Sequence, residues 1–214
     1  MTIDGTRGDK AALGSPVRRV EDERLLTGQG HYVDDLAPPR TVYAHIVRSP
    51  HAHARIIAID TSAAMAIEGV ETVLMGPELV ADGIGNIICG WGVTSKDGSA
   101  MNMGAWSALA TDKVRYVGDA VAIVVADSKS IAKLAAEAVV VTYEELPVVV
   151  GSVQALAKGA PQLHDNAPGN LIFDWEIGDL APTDAALATA VHVTEMDITN
   201  NRLAPNPMEP RSAI

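Results

Sequence analysis

From residue 41 to 48, Val42, Ala44 and Ile46 interleave with Tyr43, His45 and Val47, a period of two that predicts a strand open on one face. Ser49-Pro-His51 interrupts it, and residues 54–60 supply a second strand through Ile56, Ile57 and Ile59. Two strands about a short polar break predict a hairpin. Thr61 or Ser62 caps a short helix over 63–67, Gly69 ends it, and 70–75 is the next strand. Residues 81–111 contain six glycines and no clear period, the pattern of a long functional or interface loop.

Regularity returns with strands over 113–116 and 120–126, the latter apolar enough to be buried on both faces. Asp127 or Ser128 starts a helix whose apolar stripe is Ile131, Leu134, Ala135 and Ala138. A strand over 139–143 follows at once. Strand, helix and strand in that order predict a βαβ crossover or its antiparallel relative in an α+β layer. Short helices over 153–157 and 183–190, and strands near 171–177 and 192–199, complete the pattern. At the front, residues 1–20 read as an arm and Thr27-Gly-Gln-Gly30 as a turn.

Composition narrows this picture. Of 214 residues, 48% are hydrophobic but only 4% aromatic, so the core must consist of Ala, Val, Ile and Leu. The net charge is −11, and its whole excess lies in residues 61–214. An acidic body repels phosphate backbones and anionic lipid, which excludes nucleic acid and membrane surfaces as partners. The single cysteine, Cys89, rules out an intrachain disulfide or an iron–sulfur cluster held by this chain alone. Its neighbours in Ile-Ile-Cys-Gly-Trp predict a buried, inert thiol. The first sixteen residues lack a secretory h-region and no apolar run reaches membrane-span length, so a cytoplasmic location is expected.

Candidate chemistry is sparse. His51-Ala-His53 places two imidazoles on one face of an extended segment, but no acid or thiol joins them locally, so hydrogen-bonded turn histidines are expected and no metal site. Gly28-Gln-Gly30 and Gly83-Ile-Gly85 lack the strand and helix of a dinucleotide loop. Asp34-Asp35 and Glu144-Glu145 are neighbours whose side chains diverge on a strand, which makes neither a proton-transfer dyad. Glu209 and Arg211 sit in the proline-braced segment Pro205-Asn-Pro-Met-Glu-Pro210, suited either to a positioned side chain or to a plain connection. No catalytic residue is assigned. An apolar segment resumes at Ser212-Ala-Ile214, and the expectation is of further polypeptide after it.

Several segments together resemble the molybdenum hydroxylases, in the N-terminal part of their molybdopterin-binding large subunit. The family includes xanthine dehydrogenase, aldehyde oxidase and carbon monoxide dehydrogenase. The resemblance is carried by Arg18-Arg-Val-Glu-Asp-Glu-Arg-Leu-Leu-Thr-Gly28, His31-Tyr-Val-Asp-Asp35, Arg48-Ser-Pro-His-Ala-His-Ala-Arg-Ile56 and Gly69-Val70. It continues through Tyr116-Val-Gly-Asp-Ala-Val121, Tyr143-Glu-Glu-Leu-Pro147, Gly169-Asn-Leu171 and Arg202-Leu-Ala-Pro-Asn-Pro-Met-Glu-Pro-Arg211, in that order.

This resemblance implies an α+β fold: an a/b hammerhead domain over residues 25–150, after an arm at 1–24. Residues 151–214 would be a linker and the truncated start of a molybdenum-cofactor-binding domain, and 81–111 the hammerhead's variable insertion. The implied activity is hydroxylation of an aldehyde or N-heterocycle carbon with water-derived oxygen. The chain would be inactive alone, because the cofactor-binding loops and the catalytic glutamate lie further on. Implied partners are the remaining molybdopterin-binding polypeptide, a small subunit with 2Fe-2S clusters and a medium subunit with FAD. Asn201, Arg202, Glu209 and Arg211 are the pocket-region candidates, Asn201 standing where many relatives carry Gln. The alternatives are a free-standing, non-catalytic hammerhead binding or assembly module, or a truncated gene product.

Overall fold

The computed structural model describes residues 19–104, 106–201, 203–204 and 206–207. The described residues fall into two compact units, one within 41–196 and a smaller one made of described residues from 19–40 and 197–207. In the smaller unit, a short helix α1 (Asp22–Leu26) closes with Gly28 at φ +71°, Gln29 N donating to Arg24 O at 2.8 Å. A 3-10 turn at Val33–Asp35 follows, in which Asp35 Oδ2 accepts from Tyr32 N at 2.9 Å.

The larger unit is built on two three-stranded sheets. The first has the order β1 (Tyr43–Arg48), β5 (Ala120–Ala126), β3 (Val70–Met75). The second has the order β4 (Lys113–Val114), β2 (Ala54–Asp60), β6 (Val140–Glu145). Every pairing is antiparallel, which makes the class α+β. As the central strand of its sheet, β5 buries Ala122 and Val124 against α2 (Ser62–Met65) and α4 (Lys129–Ala138), and Val121 in a second cluster with Ala54 and Val114. That double burial accounts for its unbroken apolar run.

Two expectations about pairing are overturned. β1 and β2 are not a hairpin, because they enter different sheets. The turn between them is bonded elsewhere: Ser49 N donates to Asp119 O at 2.9 Å, and Leu146 N donates to His53 O at 3.0 Å. Nor do β5, α4 and β6 form a crossover within one sheet. Both edges of β5 are taken by β1 and β3, so the chain leaving α4 pairs with β2 instead.

Ser128 caps α4 as expected, its hydroxyl accepting from Ile131 N at 3.2 Å. The buried stripe differs from the expected one, since Ala132, Ala135 and Ala136 are buried and Leu134 is 56% exposed. Small residues let the helix lie close on the sheet, and Leu134 falls on the other side. Helices α3 (Gly76–Ala81), α5 (Ser152–Ala155) and α6 (Leu180–Thr189) complete the elements. α6 buries none of its residues. The strands expected near 171–177 and 192–199 do not form. Residues 191–201 are exposed, and an extended segment without a partner strand leaves its amides to water.

Candidate functional site

Three of the resemblance-bearing segments converge around residues 48–53. Arg48 Nη1 donates to Gly118 O at 2.8 Å, Gly118 N donates to Ser49 O at 2.8 Å, and Ser49 itself is buried. His53, 5% exposed, has Nδ1 2.8 Å from Pro147 O, which fixes that nitrogen as the donor and leaves the buried Nε2 without a partner. The His51 ring lies tilted against Tyr143 at 4.8 Å, with its Nδ1 3.7 Å from Glu145 Oε1. His51 is therefore a turn histidine packed on Tyr143 and His53 a buried, hydrogen-bonded one; among the described residues no group of three metal-ligating residues exists. Glu144 turns to Arg55 at 3.3 Å while Glu145 faces His51, so the adjacent carboxylates do diverge.

A fourth segment acts as a bolt. Asn170 adopts φ +59°, its Nδ2 donates to Ala155 O and Pro161 O, both at 2.9 Å, and its Oδ1 accepts from Leu163 N at 2.9 Å. These four motifs thus hold segments together, and among their described residues none presents a nucleophile beside a base.

Beside this frame lies a cavity of about 180 Å³, lined by Trp106, Arg115, Tyr116, Asp119 and His164 among others. Arg115 is committed to the backbone, Nε donating to Leu163 O at 3.0 Å and Nη1 to Lys113 O at 3.2 Å. Asp119 Oδ2 accepts from Arg115 N at 3.0 Å. Burial, and then the Arg115 and Lys113 cations, hold the His164 imidazole below its ordinary pKa, and its Nδ1 is buried without a partner. Gly104 lies directly under that ring, where a Cβ would collide with it. Burial also raises the Tyr116 phenol, with the Asp119 carboxylate adding to the effect. The cavity therefore offers hydrogen-bonding groups and one charge of each sign, Arg115 and Asp119, but no activated nucleophile.

A larger, apolar cavity of about 660 Å³ adjoins it through Gly104 and Trp106, walled by Ile87, Ile88, Met101, Met103 and Ile172. Its frame is the 86–107 excursion, where Ile87 N donates to Trp106 O at 2.7 Å and Met101 N to Val93 O at 3.1 Å. The 171–175 segment lies along that excursion. Asn102 N donates to Ile172 O at 2.8 Å, Lys96 N to Asp174 O at 2.7 Å, and the Lys96 ammonium sits 2.9 Å from Asp174. Cys89, expected to be buried, is exposed and donates to Trp91 O at 3.2 Å, because the apolar run around it lies on this excursion and outside both cores.

Asn201 is an exposed residue of the smaller unit, and Arg202, Glu209 and Arg211 lie outside the described residues. A pterin cofactor needs a site of some 300–1,000 Å³ with cations or clustered amides for its phosphate. The polar cavity is too small, and the large one has no Lys or Arg in its wall. Neither of these two cavities fits such a group. Sequence reasoning does not single out His164; it marks Asn170 only within the Gly169-Asn-Leu171 motif, and the 86–107 excursion only as part of an irregular interface loop, without its aromatic side chains.

Comparison with known proteins gives a consistent result. Residues 27–147 match the a/b hammerhead domain of aldehyde oxidase and xanthine dehydrogenase. The carbon monoxide dehydrogenase large chain of Afipia carboxidovorans is 36% identical over 97% of this chain and 26% of its own length. The nicotine 6-hydroxylase large subunit of Paenarthrobacter nicotinovorans is 36% identical over 94% of this chain and 24% of its own. A crystal structure of Cu,Mo-CO dehydrogenase superposes with a TM-score of 0.64 at 37% identity, covering 84% of this chain and 23% of that one. The chain thus spans about a quarter of the length of these relatives, which are named as a large chain, a large subunit and a copper- and molybdenum-containing CO dehydrogenase. With the match running through both sheets and every motif that ties them together, the chain belongs to the aldehyde oxidase and xanthine dehydrogenase family and carries its a/b hammerhead domain.

Proposed function

We propose that this chain is the N-terminal portion of the large subunit of a molybdenum hydroxylase, structural in role and inactive without the cofactor-binding polypeptide. The observation that carries this reading is the near-complete match of the chain to one quarter of the length of its relatives. The whole enzyme would hydroxylate an aldehyde or N-heterocycle carbon with oxygen from water, its molybdenum centre taking the electrons. Those electrons would leave through 2Fe-2S clusters and FAD on small and medium partner subunits. This chain's residues supply the frame: the 48–53 junction and the Asn170 bolt fix the surfaces on which the rest assembles.

We assign residues 25–150 to the hammerhead and 151–214 to a linker and the start of the cofactor domain. Asn201, Arg202, Glu209 and Arg211 belong to the strip nearest the cofactor, and the cytoplasm is the expected compartment. No described helix is long and apolar enough to cross a membrane.

The test is native purification of the chain from its host with molybdenum measured in the eluate. Molybdenum co-eluting with a larger polypeptide, and no oxidoreductase activity in the chain by itself, is the expected result. A metal-free chain recovered alone would point instead to a free-standing assembly module, and activity from the isolated chain would refute the structural role.

A further inference from the structure

The chain has three tryptophans and one phenylalanine, and none is in its core. Ala, Val and a single Leu fill the buried interior of the described residues. Trp91, Trp106, Phe173 and Trp175 are instead 78%, 58%, 43% and 52% exposed, all on the two segments laced together at 86–107 and 171–175. Ile88, at the rim of the apolar cavity, is 89% exposed. Aromatic side chains on such a platform leave much of their apolar area uncovered by the fold that displays them, and Trp is among the residues most enriched at the centres of protein interfaces.

The geometry points to this platform as the docking surface for the remaining large-subunit polypeptide, which would present an apolar centre within a basic rim. The inference rests on the reading of the chain as part of a large subunit. Two observations select the occupant. The relatives carry about three quarters of their length outside the part this chain matches, so a large body of further polypeptide must be accommodated against it. Over segments 81–107 and 171–179, Lys96 is the only base against Asp82, Asp97, Asp174, Glu176 and Asp179, which favours a basic counterpart. A second copy of the chain would bring the same acidic rim, with another −11 of net charge, onto the first. Anionic lipid is disfavoured for the same reason.

Cys89, exposed on the platform and the only cysteine, reports its coverage directly. The experiment is N-ethylmaleimide labelling of the natively purified complex, compared with the isolated chain, alongside Ile88→Ser, Trp91→Ser and the control Ile57→Ser on the exposed side of β2. Circular dichroism and thermal unfolding of each variant check that the fold is retained, and the labelling itself needs no substitution.

The expected result is that Cys89 is shielded in the complex and reactive in the isolated chain. Ile88→Ser and Trp91→Ser should each reduce recovery of the molybdenum-bearing polypeptide by about tenfold, the loss typical of an interface anchor, while Ile57→Ser retains it. If that polypeptide is recovered while Cys89 labels freely and the platform variants keep it, the docking surface lies elsewhere and the large-subunit reading stands. A metal-free chain recovered alone overturns both. A discrete dimer with Cys89 shielded and no molybdenum overturns the choice of occupant in favour of a second copy.

Discussion

At Asn170 a left-handed backbone and three side-chain hydrogen bonds coincide, so its replacement removes more than a surface contact. Asn tolerates this conformation better than other non-glycine residues, and each hydrogen bond contributes roughly 1 kcal/mol net. Asn170→Ala should lower stability by about 2–4 kcal/mol in chemical denaturation, and Asn170→Gly should restore only the backbone share. His164 provides the pH-dependent counterpart. Its folded-state pKa is depressed by burial and by Arg115 and Lys113, so the unfolded chain binds the proton more readily. Its contribution is therefore complete above the ordinary imidazole value of 6.5 and declines as pH falls below it toward the folded-state value. An NMR titration of His164 should have its midpoint below 6.5, and His164→Gln should flatten the stability profile in that window. A midpoint at or above 6.5 would mean that the ring is solvated.

At the scale of elements, β2 shows how local geometry reconciles a pattern that sequence left ambiguous. Ile56 and Ile59 are an odd number of residues apart, yet both pack against the same buried cluster. The register explains this: Ile56 faces Tyr143 and Ala58 faces Thr142, so Ile57 is an extra, bulged residue that reverses the alternation. Ile57 is 56% exposed as a result. In α4, the hydroxyl of Ser128 satisfies one of the orphan amides of the first turn, and loss of that cap should cost about 1 kcal/mol. Thermal unfolding of Ser128→Ala measures it, and Ser128→Asp should be close to neutral. The cap and the helical character of α4 were legible in the chain, though not which face it buries. α3 was not, although it ends in the same glycine-terminated way as α1: Gly83 is at φ +81°, with Ile84 N donating to Leu79 O at 2.9 Å. Its six residues are too few for a helical period to emerge from the surrounding glycines.

At the scale of the whole molecule, the balance is between exposed apolar surface and net charge. Ile88, Trp91 and Val191 are largely exposed, while the −11 charge opposes contact between copies. Charge repulsion is screened over about 10 Å at 0.1 M salt and over much less at higher concentrations. Light scattering should therefore show self-association of the isolated chain rising with ionic strength, and a decrease with salt would mean that ion pairs drive it.

The sequence by itself determined the strand-forming segments of the two sheets, the capped helix after β5, the divergence of Glu144 and Glu145, and the family. Each of these is written in near neighbours: alternation, cap chemistry, or short motifs in a fixed order. Asp34 and Asp35, read as strand neighbours, lie instead in a 3-10 turn. Tertiary structure decided which strands pair. β1 and β2 carry equivalent patterns, and their separation into two sheets depends on Ser49 and His53 bonding to residues some 70 and 93 positions away. It also decided that the Trp and Phe side chains and Cys89 face outward, because apolar composition reports a preference for burial without saying whether the burying surface belongs to the same domain.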